Sequence, residues 1–183
     1  MKIGIAGAGG IGSNVAVHLV RSGVEGIKIA DFDRIEKSNL NRQFYFYDQI
    51  GMYKSEAVKL NLDRIGSSTK IESVNIKIEA ENIEELFNDC DIVVEAFDKK
   101  EYKKILVELL GAKGKKIVSA SGIGGTECHT VTSRRVGGNI KIIGDFTSDI
   151  SQFKTYSHKV SVVASLMAGE VIVTGKQIGR AHV

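Results

Sequence analysis

Proline and tryptophan are both absent from this chain of 183 residues, and only two cysteines occur, Cys90 and Cys128. Without proline, the turns must be made by the 20 glycines and by Asn, Asp and Ser, whose side chains bond their own backbone. Two cysteines far apart in sequence form no Cys-x-x-Cys pair. That argues against a zinc ribbon and a disulfide framework, and points to a reducing, cytoplasmic setting. No apolar run approaches the roughly 18 residues of a membrane span. Residues 1–20 have neither the charged start nor the small-residue cleavage site of a secretion signal. Charge of one sign is also scarce: the formal net charge is +3, and basic residues are interleaved with acids. The run "KGKK" (Lys113 to Lys116) sits where a helix should end and reads as a solvated turn, so charge makes no case for nucleic acid.

What is present suits a single core. With 43% hydrophobic residues, a chain of this length buries roughly two thirds of its unfolded surface. "KIGIAG" reads as a short apolar strand, followed by a helix whose face carries Val15, Leu19 and Val20 and which stops at Gly23. "IKIAD" is a second strand. "KSEAVKLNLDRIG" places Ala57, Val58, Leu60, Leu62 and Ile65 at helical spacing, "KIESVNIKI" alternates as a strand, and "ENIEELFND" is a short helix. "CDIVVEAFD" is a continuous apolar strand of the kind buried on both faces, followed by helix "KEYKKILVELLGAKG" and strand "KIVSAS". This alternation predicts a Rossmann-like, doubly wound α/β fold with a mostly parallel sheet. "CHTVTSRR" and "NIKIIGDF" flank "VGG" (Val136 to Gly138) as a hairpin, an antiparallel C-terminal extension. Residues 144–158 form a long polar loop, of the kind that is either a functional lid or disordered, and "KVSVVASLMAGEVIVTG" closes the chain as a helix. One domain over residues 1–176 is expected. "IGRAHV" can be back-translated into the opening of a common DNA-sequencing adapter. Residues 177–183 are therefore expected to be a non-native tail, and neither Arg180 nor His182 is given a role.

Gly7, Gly9, Gly10 and Gly12 lie in a Gly-x-Gly-x-x-Gly pattern between a strand and a helix, the context in which backbone N–H groups and a helix N-terminus meet a phosphate. Asp31, at the end of the next strand, stands where an acid takes ribose hydroxyls; a strand-end cap is its alternative. One acid would serve a dinucleotide, yet "DFDRIEKSNLNRQ" continues with Asp33, Asn39, Asn41, Arg42 and Gln43. An arginine among carboxamides suits phosphate and acyl oxygens.

The set Gly-x-Gly-Gly-x-Gly-Ser, "DFD" and "SNLNRQF" resembles the ubiquitin-activating superfamily, and most closely its short ThiF-type adenylyltransferases. These activate the C-terminal glycine of the sulfur carrier used in thiazole synthesis for thiamin. The resemblance runs from Met1 to about Gly175 and takes in "RQFYF", "IGMYKSEA", "CDIVVEAFD", "SASGIGG" and "IIGDF". It implies ATP and Mg2+ as cofactors, a small ubiquitin-like sulfur carrier protein as partner, and a homodimer. On this resemblance Arg42 holds the outer phosphates in a bidentate fork, Lys54 reaches the reacting phosphate as a point charge, and Asp98 positions magnesium. Gly7, Gly9, Gly10, Gly12, Asp31, Asn39 and Gln43 are the expected nucleotide-binding residues. Each reactive residue has a plainer alternative: Lys54 a solvated first-turn lysine, Asp98 a cap on the following helix, Arg42 a partner for Asp33. Asp33 itself is expected to orient Arg42.

Departures from the resemblance carry their own expectations. Relatives often have two Cys-x-x-Cys pairs for structural zinc; none is present, so no structural zinc and no metal other than magnesium is expected. Many have an N-terminal helix whose arginine reaches the partner subunit's ATP. This chain begins at its first strand, so another group supplies that charge or adenylation is slow. Residues 144–158 hold no cysteine. Cys128 reads as a half-buried strand residue and Cys90 as core, and His18, His129 and His158 form no triad. Two other readings stand beside adenylation: an NAD-dependent oxidoreductase, which the glycine motif and Asp31 would also serve, and a non-catalytic carrier-binding scaffold. Relatives that dehydrate a modified tRNA adenosine share much of the motif set but usually have a longer chain.

Overall fold

The computed structural model describes the backbone of residues 1–181 and the side chains of residues 1–178. His182 and Val183, and with them the end of the expected tail, lie outside the described residues.

The first apolar run forms strand β1 (Lys2–Ala6), which turns through the glycine motif into helix α1 (Gly10–Arg21) and returns as β2 (Gly26–Ala30). Helix α2 (Lys54–Asp63) leads to β3 (Lys70–Val74), and the short helix α3 (Ile83–Leu86) to β4 (Ile92–Glu95). Helix α4 (Lys100–Ala112) precedes β5 (Lys116–Ala120). The hairpin β6 (Thr132–Val136) and β7 (Ile140–Gly144) follows, and α5 (Ser157–Ala181) packs back over the sheet. The strand order is β3-β2-β1-β4-β5-β7-β6, parallel at every pairing except β6 with β7. This is the expected doubly wound, mostly parallel sheet with its antiparallel extension.

Strands β2 and β4 are buried along their whole length, as strands covered on both faces must be. On one face α1, α2 and α5 contribute Val15, Leu19, Val58, Leu62, Val163 and Met167 to a large core; on the other, α3 and α4 enclose Ile83, Phe87, Leu106 and Leu110. Phe87, fully buried, lies so near β1 that a Cβ on Gly4 would stand 2.6 Å from its ring. Cys90 is buried beside it, as expected.

Four local expectations are corrected. The strand read over "KIESVNIKI" stays paired only to Val74, because its neighbour β2 ends at Ala30 and residues beyond have no ladder to join. Cys128 is half-buried but lies in a turn ahead of β6, because the antiparallel ladder opens only at Thr132 opposite Gly144. Val136 belongs to the ladder opposite Ile140, so the hairpin loop is 137–139. Leu60 faces solvent, and its expected place in the buried side of α2 is taken by Asn61, which donates to Phe44 O at 2.9 Å and bonds Gln49.

Truncating Phe87 should therefore open a cavity between α3, α4 and β1. We expect Phe87→Ala to cost about 3–5 kcal/mol and, at about 2–4 °C per kcal/mol for a chain of this size, to lower the thermal midpoint by roughly 10 °C, as read by circular dichroism.

Candidate functional site

Strand β1 lies between β2 and β4, and the chain leaves their C-terminal ends toward opposite faces, the place where open α/β sheets form a crevice. A cavity of about 780 Å³ opens there. Its walls are the glycine turn after β1, the ends of β2 and β4, residues 41–43, and the strap 150–158 that crosses from the hairpin to α5.

The glycine turn is shaped by two constraints. Gly7 has a left-handed φ of 97°, and a Cβ on Gly12 would overlap the Gly7 carbonyl oxygen, so only glycine lets α1 start this close to β1. No side chain caps α1 at Gly9, and Gly9, Gly10 and Ile11 line the cavity, so first-turn N–H groups are available at its wall. The segment that carries Arg42 is pinned onto this turn. Ser13 Oγ accepts from Phe44 N at 3.0 Å and donates to Gly9 O at 2.6 Å; Asn14 Nδ2 donates to Arg42 O at 2.9 Å and Gly10 O at 2.7 Å. The buried Tyr45 hydroxyl donates to Ala8 O at 2.6 Å.

Asp31 is buried on the cavity wall, where its carboxylate accepts the N–H of Ala8 at 2.6 Å and of Asp33 at 2.8 Å. Burial pushes its carboxyl above the ordinary range, opposed by the Ala8 N–H and the charge of Lys54. Lys54 is buried at the start of α2, with Nζ 3.0 Å from Asp33 Oδ2, so it is not a solvated lysine. This corrects the expectation for Asp33, which holds Lys54 and not Arg42. Arg42 spends Nη1 on Ser38 O at 3.0 Å and Asn41 Oδ1 at 2.7 Å, and among the described residues its other guanidinium nitrogens have no partner. Gln43, 9% exposed, lines the cavity with Oε1 unpartnered among the described residues. Asn39 stands apart. Its Oδ1 accepts the Glu36 N–H at 3.0 Å, closing a 3-10 turn over Lys37–Asn39, and it is not on the cavity wall; Asn41 is.

Across the cavity, Asp98 is exposed and lines the wall, and among the described residues it makes no hydrogen bond or ion pair. Helix α4 is N-capped by Lys99 without a side-chain bond, so Asp98 does not cap it. The rings of Phe97 and Tyr102 pack in a tilted pair, centroids 5.8 Å apart, and with Ile76, Ile78 and Phe32 give the cavity an apolar side. Sequence reasoning missed these residues because apolar side chains next to a strand end look like core. Asn41 was legible beside Arg42 but was given no role.

The strap is anchored at its foot by a buried ion pair. Lys159, in the first turn of α5 and 1% exposed, bonds Asp145 Oδ2 at 2.6 Å, Ser148 Oγ at 3.3 Å and the Gly124 carbonyl. Burial pushes the Asp145 carboxyl up, but Lys159 and the N–H and hydroxyl of Ser148 outweigh it, holding it below the usual carboxylate range. Just before the strap, Asp149 pairs with Lys100 of α4.

The sequence model of the ThiF family matches residues 1–182. The chain belongs to the ThiF family. The sulfur carrier protein ThiS adenylyltransferase of Bacillus subtilis is 41% identical to this ThiF-family chain over 105 residues, which cover 56% of this chain and 31% of that protein. The adenylyltransferase and sulfurtransferase UBA4 of Candida glabrata is 35% identical over 124 residues, 67% of this chain and 29% of that protein. Each match thus spans less than a third of the relative's own length. The E. coli tRNA N6-threonylcarbamoyladenosine dehydratase TcdA, solved in complex with AMP, superposes with a TM-score of 0.86 at 18% identity, covering 100% of this chain and 88% of that one. At that identity the likeness establishes the fold.

The strap's foot gives a pH-dependent signature. Because the folded state holds the Asp145 carboxyl low, its contribution to stability is present above the unfolded pKa of about 4 and is lost as pH falls through that value toward the folded one. Asp145→Asn, which leaves Lys159 buried without its counter-charge, should cost about 3 kcal/mol at neutral pH and give a shallower acid limb than the parent in urea melts from pH 7 to 3.

Proposed function

We propose that this chain is the nucleotide-binding core of an adenylyltransferase that uses ATP to activate the C-terminal glycine of a small ubiquitin-like sulfur carrier protein, of the kind that supplies sulfur for the thiazole of thiamin. The observation that carries the reading is the meeting, on one cavity wall system, of a glycine turn with available N–H groups, two cations and an unpartnered carboxylate. The names of the ThiS adenylyltransferase and UBA4 relatives support the reaction class.

In the reaction a carrier carboxylate oxygen attacks the α-phosphorus of ATP. A bond from that oxygen to phosphorus forms, the bond to the bridging oxygen breaks, and pyrophosphate leaves. Both reactants are anions, so the site must shield charge while it aligns them. The glycine-turn N–H groups take phosphate oxygens, and the guanidinium nitrogens of Arg42 that have no partner reach the outer phosphates as a fork. Lys54, already held by Asp33, offers a fixed ammonium without first giving up full hydration. The unpartnered Gln43 Oε1 is a buried acceptor that a donor on the bound reactants satisfies. Asp31 is committed to the glycine turn through Ala8 and retains lone pairs for ribose hydroxyls. Asp98 fits magnesium as magnesium is usually held, by one or two carboxylates together with substrate phosphates; among the described residues no cluster of three ligating side chains forms a separate cage. When bound there, the ion neutralises phosphate charge. The exposed edge strand β6, open to pairing, supports a homodimer as part of this reading.

A nicotinamide would have to sit where Arg42 and Lys54 stand, which disfavours the oxidoreductase reading. Carrier-dependent exchange of labelled pyrophosphate into ATP tests the proposal: it should occur with a ThiS-type carrier and fall about 100- to 1,000-fold in Arg42→Ala and in Asp98→Ala. Exchange undiminished in both variants, or calorimetric binding of NAD and not of ATP, would overturn it.

A further inference from the structure

Among the described residues Asp98 makes no hydrogen bond or ion pair of its own, yet the turn that presents it is tied to the strands on either side. Glu95, the last residue of β4, is fully buried (0% exposed) and sits between Ala6 of β1 and Ser119 of β5 in the ladder. Its Oε1 accepts the Phe97 N–H at 2.8 Å, one residue before Asp98. Its Oε2 accepts the Ser119 hydroxyl at 2.5 Å and is paired with Lys103 Nζ. Lys103, one turn into α4, also donates to Ala120 O at 2.8 Å. The turn is tied on its other side too: Ala96 N donates to Ala6 O at 3.0 Å, and a Cβ on Gly7 would meet the Ala96 carbonyl at 3.0 Å. The residues before Asp98 therefore rest on the glycine turn, and Glu95 sets how the chain leaves it.

A charge placed in a core this way needs compensation, and a carboxylate with no partner there would be costly. Glu95 has one ammonium, one hydroxyl and one backbone N–H, and its complete burial keeps it from meeting a ligand directly. It is not among the cavity-lining residues, whereas Phe97 and Asp98 are. A carboxylate so placed acts on the site only through the backbone it holds.

We infer that Glu95, locked by Lys103, is a positioning residue that aims Asp98 at the phosphate side of the cavity. The inference rests on the adenylation reading for what Asp98 does, and on geometry alone for how Asp98 is held. A displacement of the order of 1 Å in a group that holds a reacting phosphate is enough to cost about 100-fold in rate.

The test uses the full chain with ATP, magnesium and a ThiS-type carrier. Glu95→Ala should slow pyrophosphate exchange by about 10- to 100-fold, leave the KM for ATP nearly unchanged, and raise the magnesium concentration needed for half-maximal exchange. Glu95→Gln, which keeps one acceptor oxygen for the Phe97 N–H but no charge for Lys103, should recover part of the rate and fall between the parent and Glu95→Ala. Combined with Asp98→Ala, Glu95→Ala should cause no further loss, because the group it positions is gone. Should Glu95→Ala fail to fold, Lys103→Met, at a partly exposed position that keeps the aliphatic stem, gives the same three readings. Losses that multiply in the Asp98→Ala background, or an unchanged magnesium requirement, would reduce Glu95 to a structural role and overturn the inference. If the parent protein shows no carrier-dependent exchange, the adenylation reading fails instead. Calorimetry of ATP with and without magnesium then decides the positioning role: Glu95→Ala must lose the magnesium-dependent gain in affinity that the parent has, and a parent with no such gain overturns it.

Discussion

The approach of helix α1 to the carbonyl of Gly7 is the constraint on which the rest of the site depends. A side chain at Gly12 would push the helix away from β1, and with it the N–H groups that open at the cavity wall. Because α1 begins there, its Ser13 and Asn14 reach back to the segment after β2, and they fasten the backbone of residues 42–44 against the same turn. Because the turn is tight, the carbonyl of Ala96 comes to rest on it from the β4 side. The ladder sets the ends of β1, β2 and β4 side by side, and the missing methyl group lets α1 open its first turn onto the cavity between them.

Around that constraint the chain repeats a single electrostatic device. Three helices each send a lysine from their first turns to a carboxylate at the C-terminal end of a strand: Lys54 of α2 to Asp33 after β2, Lys103 of α4 to Glu95 of β4, and Lys159 of α5 to Asp145 after β7. The three differ in burial, and with it in consequence. Asp33 is half in solvent, so its pairing with Lys54 presents an ammonium to the cavity. The carboxylates of Glu95 and Asp145 are shut from solvent, where an ion pair contributes little net stability but fixes geometry, since either charge left alone would be expensive. The first pair stands on the cavity wall, and the other two hold the turn and the strap that surround it.

Much of the site was legible in the sequence because backbone geometry and residue type suffice to announce it. The glycine pattern between a strand and a helix, and Arg42 and Lys54 on segments that follow β2, all lie against the cavity. What was misread turned on partners distant in sequence. Asp33 was matched to Arg42, its neighbour in the chain, but the fold of residues 34–53 returns α2 to it, with Lys54 N donating to Asp33 O at 2.8 Å. Asn39 looked like a ligand residue of the same class as Gln43, and a local 3-10 turn claims its oxygen instead. Leu60 satisfied helical spacing, yet the buried side of α2 meets the segment 44–49, whose Phe44 carbonyl and Gln49 side chain bond Asn61.

The sequence by itself determined the alternation of strands and helices, the parallel sheet with its terminal hairpin, and the family, because each is written in local periodicity and in one dense motif. Tertiary structure alone decided which charges meet. Pairings such as Glu95 with Lys103 or Lys159 with Asp145 depend on which strand ends lie side by side. Strand order is a property of how buried surfaces pack across the whole sheet, and no spacing along the chain encodes it.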